Sequence, residues 1–191
     1  MSQTALLIID VQKGIDHYSW GRRNNPDAES KIKTLLQQWR EHEWPIIHVQ
    51  HVSTEPQSSY RPGQVGCEFK DEVRPLGSEM VIQKATNSAF IGTHLEDILR
   101  AKGIAELVIT GMITNNSVEA TARMAGNLGF ATVVVEDATA TFDKEDIRGR
   151  WHPAERVHAL SLSNLQGEYA RILSTEQVLE HHLKELSYVG L

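Results

Sequence analysis

The chain has 191 residues, 40% of them hydrophobic and 23% charged, with a formal net charge of −6; this length and balance point to one globular domain, residues 1–191, with a full hydrophobic core. The negative net charge and scattered Lys and Arg give no electrostatic footprint for nucleic acid or an anionic membrane, and no apolar run approaches a membrane span. Met1-Ser2-Gln3-Thr4 runs into strand-like sequence without a basic n-region, and the single cysteine, Cys67, has no partner for an internal disulfide, so a cytoplasmic protein is expected.

In chain order, residues 4–10 form an apolar run that ends in a carboxylate and reads as a first strand. Residues 28–43 carry Ile32, Leu35, Leu36 and Trp39 at helical spacing. A second strand is expected at 45–49, then a long loop at 53–70 rich in Ser, Pro, Gly and Gln, then a short third strand at 80–83. Thr93 with Glu96 has the form of a capping box, and Gly103 suits the position after a helix, so 94–102 is predicted helical. A fourth strand at 106–110 leads into Gly111-Met112-Ile113-Thr114-Asn115-Asn116-Ser117-Val118-Glu119 and an Ala-rich helix at 120–128. A fifth strand at 131–135, a helix at 153–165, a sixth strand at 170–173 and a helix at 175–184 complete the pattern. Buried strands separated by helices imply a parallel sheet covered on both faces.

Such folds hold their ligands at the carboxyl ends of the strands. Asp10 closes strand one and Lys84 closes strand three. Ser117 follows strand four at a strand-to-helix turn, where free backbone N–H groups and the positive helix end favour a thiolate or a developing oxyanion. Taken singly, Asp10 could bond its own turn, Lys84 could be a solvated charge and Ser117 an ordinary helix cap. Their joint placement at three strand ends points to one reactive crevice.

Three blocks carry a more specific signal: Leu7-Ile8-Ile9-Asp10-Val11-Gln12, Lys84-Ala85-Thr86-Asn87-Ser88-Ala89-Phe90-Ile91-Gly92-Thr93, and 111–123. In this order they resemble the signature blocks of the isochorismatase-like cysteine hydrolase superfamily. Similarity continues through Val134-Val135-Glu136-Asp137-Ala138 and residues 158–168. The resemblance implies a three-layer α/β/α sandwich around a six-stranded parallel sheet, and an Asp-Lys-Cys triad acting on a C–N bond of a small amide or carbamoyl compound. Carried over by position, Asp10 is the carboxylate, Lys84 the lysine, and Ser117 stands where the nucleophile belongs. The backbone N–H groups of Ser117 and of Ile113 or a neighbour would hold the oxyanion, and the Ile113-Thr114 peptide corresponds to one that is often cis in relatives. Relatives are commonly homo-oligomers, which makes the late helices with Trp151 and Tyr169 candidate contact surfaces.

Ser117 departs from the cysteine-bearing pattern. A hydroxyl is a much weaker acid than a thiol, and an Asp-Lys pair lacks the histidine base that activates serine in familiar hydrolases, so low amidase activity is expected. Three explanations stay open: a cysteine exchanged for serine that leaves the pocket intact, a vinyl-ether hydrolase resembling the isochorismatase branch that needs no covalent nucleophile, and a non-catalytic binding protein. The close match of the flanking residues favours the first.

Other features carry less. His48 and His51 lack the Asp-x-His spacing of a metal-binding segment and read as satisfied or exposed histidines; no metal is predicted. Cys67 lies on the long loop, away from the strand-end motif, and reads as a structural thiol. No phosphate-binding Gly-rich loop is present, so no nucleotide cofactor is expected. Asn115-Asn116-Ser117 matches a glycosylation sequon by chance. Specificity is assigned to loops: Gln12, Ile15, Tyr18 and Trp20 after Asp10, Tyr60 and Arg61 on the long loop, Asn116 beside Ser117, and the connection at 142–152. Gln12, Trp20, Tyr60 and Asn116 are the candidate substrate contacts, although the loop aromatics could equally cover a subunit interface.

Overall fold

Strand β1 (Gln3–Ile9) is apolar from Ala5 to Ile9 because both of its faces are covered there. Ala5, Leu7 and Ile9 enter one core, while Leu6 and Ile8 enter the other, the alternation a strand imposes. The computed structural model describes residues 3–189, with side chains over 4–182. Around β1 lie α1 (Ala28–Glu41), β2 (Ile46–His51), β3 (Met80–Lys84), α2 (Leu95–Ala101), β4 (Ile104–Met112), α3 (Glu119–Asn127) and β5 (Ala131–Ala140). There follow β6 (Lys144–Glu145), β7 (Trp151–His152), α4 (Ala154–Leu165), β8 (Arg171–Leu173) and α5 (Thr175–Val189).

Six strands form one parallel sheet in the order β3-β2-β1-β4-β5-β8. Helices α1 and α5 cover one face, through Ile32, Leu35, Leu36, Trp39 and Val178. Helices α2, α3 and α4 cover the other, through Leu95, Leu99, Ala122, Ala125, Leu162 and Leu165. The result is the α/β/α sandwich expected from the sequence. Fully burying one such Leu or Ile contributes roughly 1.5–3 kcal/mol, so the two cores hold the sheet as a rigid platform. The strand order reverses between β1 and β4, and the crevice outside their carboxyl ends is the natural ligand site of such a sheet.

Several boundaries differ from the sequence reading, each for a local reason. β5 continues to Ala140 because it re-pairs with β4 after an interruption: Ile109 faces Val134, but Gly111 faces Thr139. Polar Glu136 and Asp137 lie in that irregular stretch and hide the continuation. The α2 N-cap is His94, not Thr93; the Thr93 hydroxyl donates to the Ala89 carbonyl at 2.6 Å and accepts the Leu95 N–H at 3.3 Å. Within the 142–152 connection, β6 and β7 form a small antiparallel ribbon. Asp146 organises it by accepting the backbone N–H groups of Arg148 and Arg150 and the side chains of Arg150 and His152. No helix among the described residues is long and apolar enough to cross a membrane.

Candidate active site

The carboxyl ends of four neighbouring strands supply the polar floor of the crevice. Asp10 follows β1 with φ +52°, a left-handed conformation that Asp tolerates better than most residues. Its N–H donates to the Val49 carbonyl at 2.9 Å, so the chain turns sharply there while remaining tied to β2. Lys84 is the last residue of β3, and its ammonium reaches across β2. It donates to Asp10 Oδ2 at 2.6 Å, to the Thr86 carbonyl at 3.0 Å and to Ser117 Oγ at 3.4 Å. Lys84 therefore links the other two members of the predicted trio.

Ser117 sits in a wide helical turn, Thr114–Val118, between β4 and α3. Gly111, at φ +117°, brings β4 into that turn; a Cβ there would lie 2.1 Å from the Ile9 carbonyl oxygen, so only glycine fits beside β1. The cis peptide bond is Met112-Ile113, one residue before the expected Ile113-Thr114. The Ile113 carbonyl accepts the N–H groups of Asn116 and Val118. Helix α4 and the end of β5 hold the turn from outside. Thr114 Oγ1 meets His158 Nδ1 at 2.9 Å, the Ser161 hydroxyl donates to the Thr114 carbonyl and to Glu119, and the Thr141 hydroxyl donates to Asn115.

The electrostatics are uneven. Asp10 and Lys84 are both buried, yet Asp10 Oδ1 has no hydrogen-bond partner. Burial pushes the Asp10 carboxyl above the usual carboxylate range, opposed by the Lys84 ammonium. A carboxylate with one free oxygen and a raised proton affinity can accept a proton from a neighbouring hydroxyl or thiol. Ser117 is the group beside it.

A cavity of about 210 Å³ opens over these residues. Trp20, Tyr60 and Asn116, predicted from loops, line it together with Ile15. Trp20 is fixed by its indole N–H to the Gly14 carbonyl at 3.0 Å and by stacking on Phe142. Gly14 lacks a side chain because a Cβ would lie 2.9 Å from the Tyr60 ring. Gln12 does not join the lining. It is fully buried, its amide nitrogen donates to the carbonyls of His51 and Cys67, and its oxygen accepts the His51 N–H. Every group it could offer a substrate is used to join β1, β2 and the long loop. Tyr18 is almost wholly exposed, and Arg61 donates to the Pro56 carbonyl.

His51, the last residue of β2, is a lining residue that the sequence reading did not select. Its ring packs edge-on to Tyr60 at 5.9 Å, and burial and Lys84 hold its pKa below the usual histidine value. The signal was its strand-end position, obscured by ending β2 at Val49. His48 is fully buried with Nε2 2.9 Å from Glu79, but its Nδ1 has no hydrogen-bond partner, so it is only half satisfied. Cys67 lies nearer the strand ends than expected: its Sγ is 3.8 Å from the His51 carbonyl oxygen, and burial raises its thiol pKa. A second cavity, about 460 Å³, lies at Trp44, Pro45 and Ile46, where β2 begins, at the other end of the sheet; its Arg40 and Glu79 are paired with each other. Among the described residues, no group of three or more His, Cys, Asp or Glu is placed to hold a metal ion.

The model of the isochorismatase domain matches residues 4–177, which span the sheet and all four strand ends. The chain belongs to the isochorismatase family. It is 43% identical over 180 residues to the isochorismatase family protein YrdC of Bacillus subtilis, covering 94% of this chain and 96% of that protein. The crystal structure of an isochorismatase-family protein from Chromobacterium violaceum is similar with a TM-score of 0.92 and 55% identity, over 93% of this chain and 92% of that one. A shorter match, 46% identical over 69 residues, links 36% of this isochorismatase-family chain to 30% of the ureidoacrylate amidohydrolase RutB of Yersinia enterocolitica. The chain is thus a hydrolase-family protein, and its crevice lies at the switch point of the family's sheet.

Proposed function

We propose that this protein is built to hydrolyse a C–N bond of a small amide or carbamoyl compound through residue 117, and that the hydroxyl present there makes it slow. The observation that carries the reading is the buried Asp10-Lys84 pair with one Asp10 oxygen unpartnered and the Lys84 ammonium touching Ser117. The amidohydrolase name of one relative agrees with it. Asp10 takes the nucleophile's proton, and the nucleophile attacks the amide carbonyl. The backbone N–H groups of Ile113 and Ser117 face the developing oxyanion. Collapse returns the proton to the departing amine and leaves an acyl-enzyme, which water hydrolyses to the acid. With a thiol at position 117, Lys84 and the start of α3 would stabilise the thiolate; a serine hydroxyl gains far less because it ionises much less readily.

The test is Ser117→Cys against a panel of small amides, with intact-protein mass spectrometry. Turnover and a covalent acyl adduct on residue 117 are expected, with the unmodified protein at least ~100-fold slower. An inert Ser117→Cys protein would overturn the reading. The raised Asp10 pKa also suits a second one, in which protonated Asp10 donates to a vinyl-ether carbon and no covalent nucleophile is needed. Consumption of isochorismate by the Ser117 form would select it.

A further inference from the structure

We infer that this crevice selects uncharged acyl groups over anionic ones, and that its substrate is a neutral carboxamide. The inference rests on the C–N reading above and adds the substrate class.

The first observation is the use of Lys84. An ammonium has three protons, and all three are directed at protein acceptors: Asp10, the Thr86 carbonyl and Ser117. None remains for a substrate carboxylate. Cations in the flanking segments are also committed. Lys13 pairs with Glu68, Arg22 with Asp143 and Glu155, Arg23 with Glu29, and Lys70 with Asp16 and Glu29. Among the described residues, no Arg or Lys lines the cavity.

The walls offer shape and neutral polarity instead. Ile15, Met112 and Ile113 are apolar, Trp20 and Tyr60 are flat, and the polar contacts come from Ser58, Asn87 and Asn116. Burial and the nearby Asp10 and Asp16 raise the Tyr60 pKa, so its hydroxyl stays neutral. Burial and Lys84 lower that of His51, which leaves the imidazole uncharged at neutral pH. The Asp10 carboxylate and the Lys84 ammonium form an ion pair at 2.6 Å and offset each other's charge. A carboxylate entering here would be desolvated beside Asp10 without a counter-ion, a strongly unfavourable state. An amide loses little by comparison, because its N–H and C=O match the Asn and Ser side chains.

A cavity of roughly 150 Å³ accommodates benzene, and this one, about 210 Å³ and open to solvent, has room for a ring bearing a carboxamide. Charge selection also favours product release: the neutral amide and water become a carboxylate and an amine, and the crevice does not retain the carboxylate.

Binding to the unmodified Ser117 protein tests this without turnover. Ligand-detected NMR at pH 7.5 would compare benzamide with benzoate and isobutyramide with isobutyrate. At least one amide should bind tenfold or more tighter than its acid. Asn87→Arg, at the exposed edge of the cavity, should raise benzoate affinity several-fold. Both acids binding as tightly as their amides, or no binding by either amide, would overturn the inference. If the amide preference holds while Ser117→Cys is inert, the selectivity stands and the hydrolytic reading falls. If Ser117→Cys hydrolyses amides while acids bind equally well, the reverse is true.

Discussion

Asp10 and Glu29 are each only 7% exposed, but Asp10 lies deeper and the two differ in what surrounds them. Glu29, on α1, is saturated: Arg23 donates to both of its oxygens, at 2.8 and 2.5 Å, and Lys70 adds a third bond at 2.9 Å. Its pKa is held down to about 2. Asp10 has one cation on one oxygen and nothing on the other, and its pKa is raised. The opposite shifts show that depth and hydrogen-bond saturation together separate a carboxylate that fastens the fold from one able to move a proton.

The comparison predicts distinct outcomes when each carboxylate is removed. The largest effect is expected from Asp10→Asn in the Ser117→Cys background. Losing the proton acceptor should lower kcat/KM for an amide by roughly 10²–10⁴-fold, measured in steady-state assays; a change under tenfold would place the base elsewhere. Glu29→Gln should instead destabilise the protein by about 2–3 kcal/mol, because Arg23 loses its buried counter-charge. Urea unfolding checks that value, and kcat in the Ser117→Cys background should stay within a few-fold.

The two carboxylates also predict two separate acid limbs. Glu29 has a depressed pKa, so its stabilisation is present above 4.5 and is lost as pH falls toward about 2. Asp10 has a raised pKa and must be deprotonated to act as a base. Amide hydrolysis should therefore fall as pH drops through a value above 3.8, while the fold is still intact. Activity and circular dichroism followed on the same acid titration would show the separation; coincident limbs would contradict it. The smallest effect is expected at the turn that carries Ser117. Thr114→Val removes the hydroxyl facing His158 and should cost about 1–2 kcal/mol of stability, read by thermal or urea unfolding.

The sequence made the platform legible because its strands are buried on both faces, and a run such as Leu6-Leu7-Ile8-Ile9 shows that directly. The strand-end trio was legible for a related reason: parallel sheets put ligand groups where strands stop, and Asp10, Lys84 and Ser117 follow apolar runs. Gln12 misled because proximity in sequence to Asp10 says nothing about which way a buried amide points. His51 was missed because β2 runs two residues beyond its most apolar part. The ribbon around Asp146 was hidden because its two-residue strands have no periodicity to read, and depend on one aspartate gathering local donors.

The central claim is that the half-satisfied Asp10-Lys84 pair makes residue 117 the reactive position. Cys67, a buried thiol with a raised pKa, provides a control within the same chain. The direct measurement is iodoacetamide alkylation of the Ser117→Cys protein at pH 7, resolved by peptide mass spectrometry. The account predicts modification at position 117 at least ~10-fold faster than at Cys67, with the advantage reduced by Lys84→Met. Equal rates at the two thiols, or a rate at position 117 that does not respond to Lys84→Met, would contradict it.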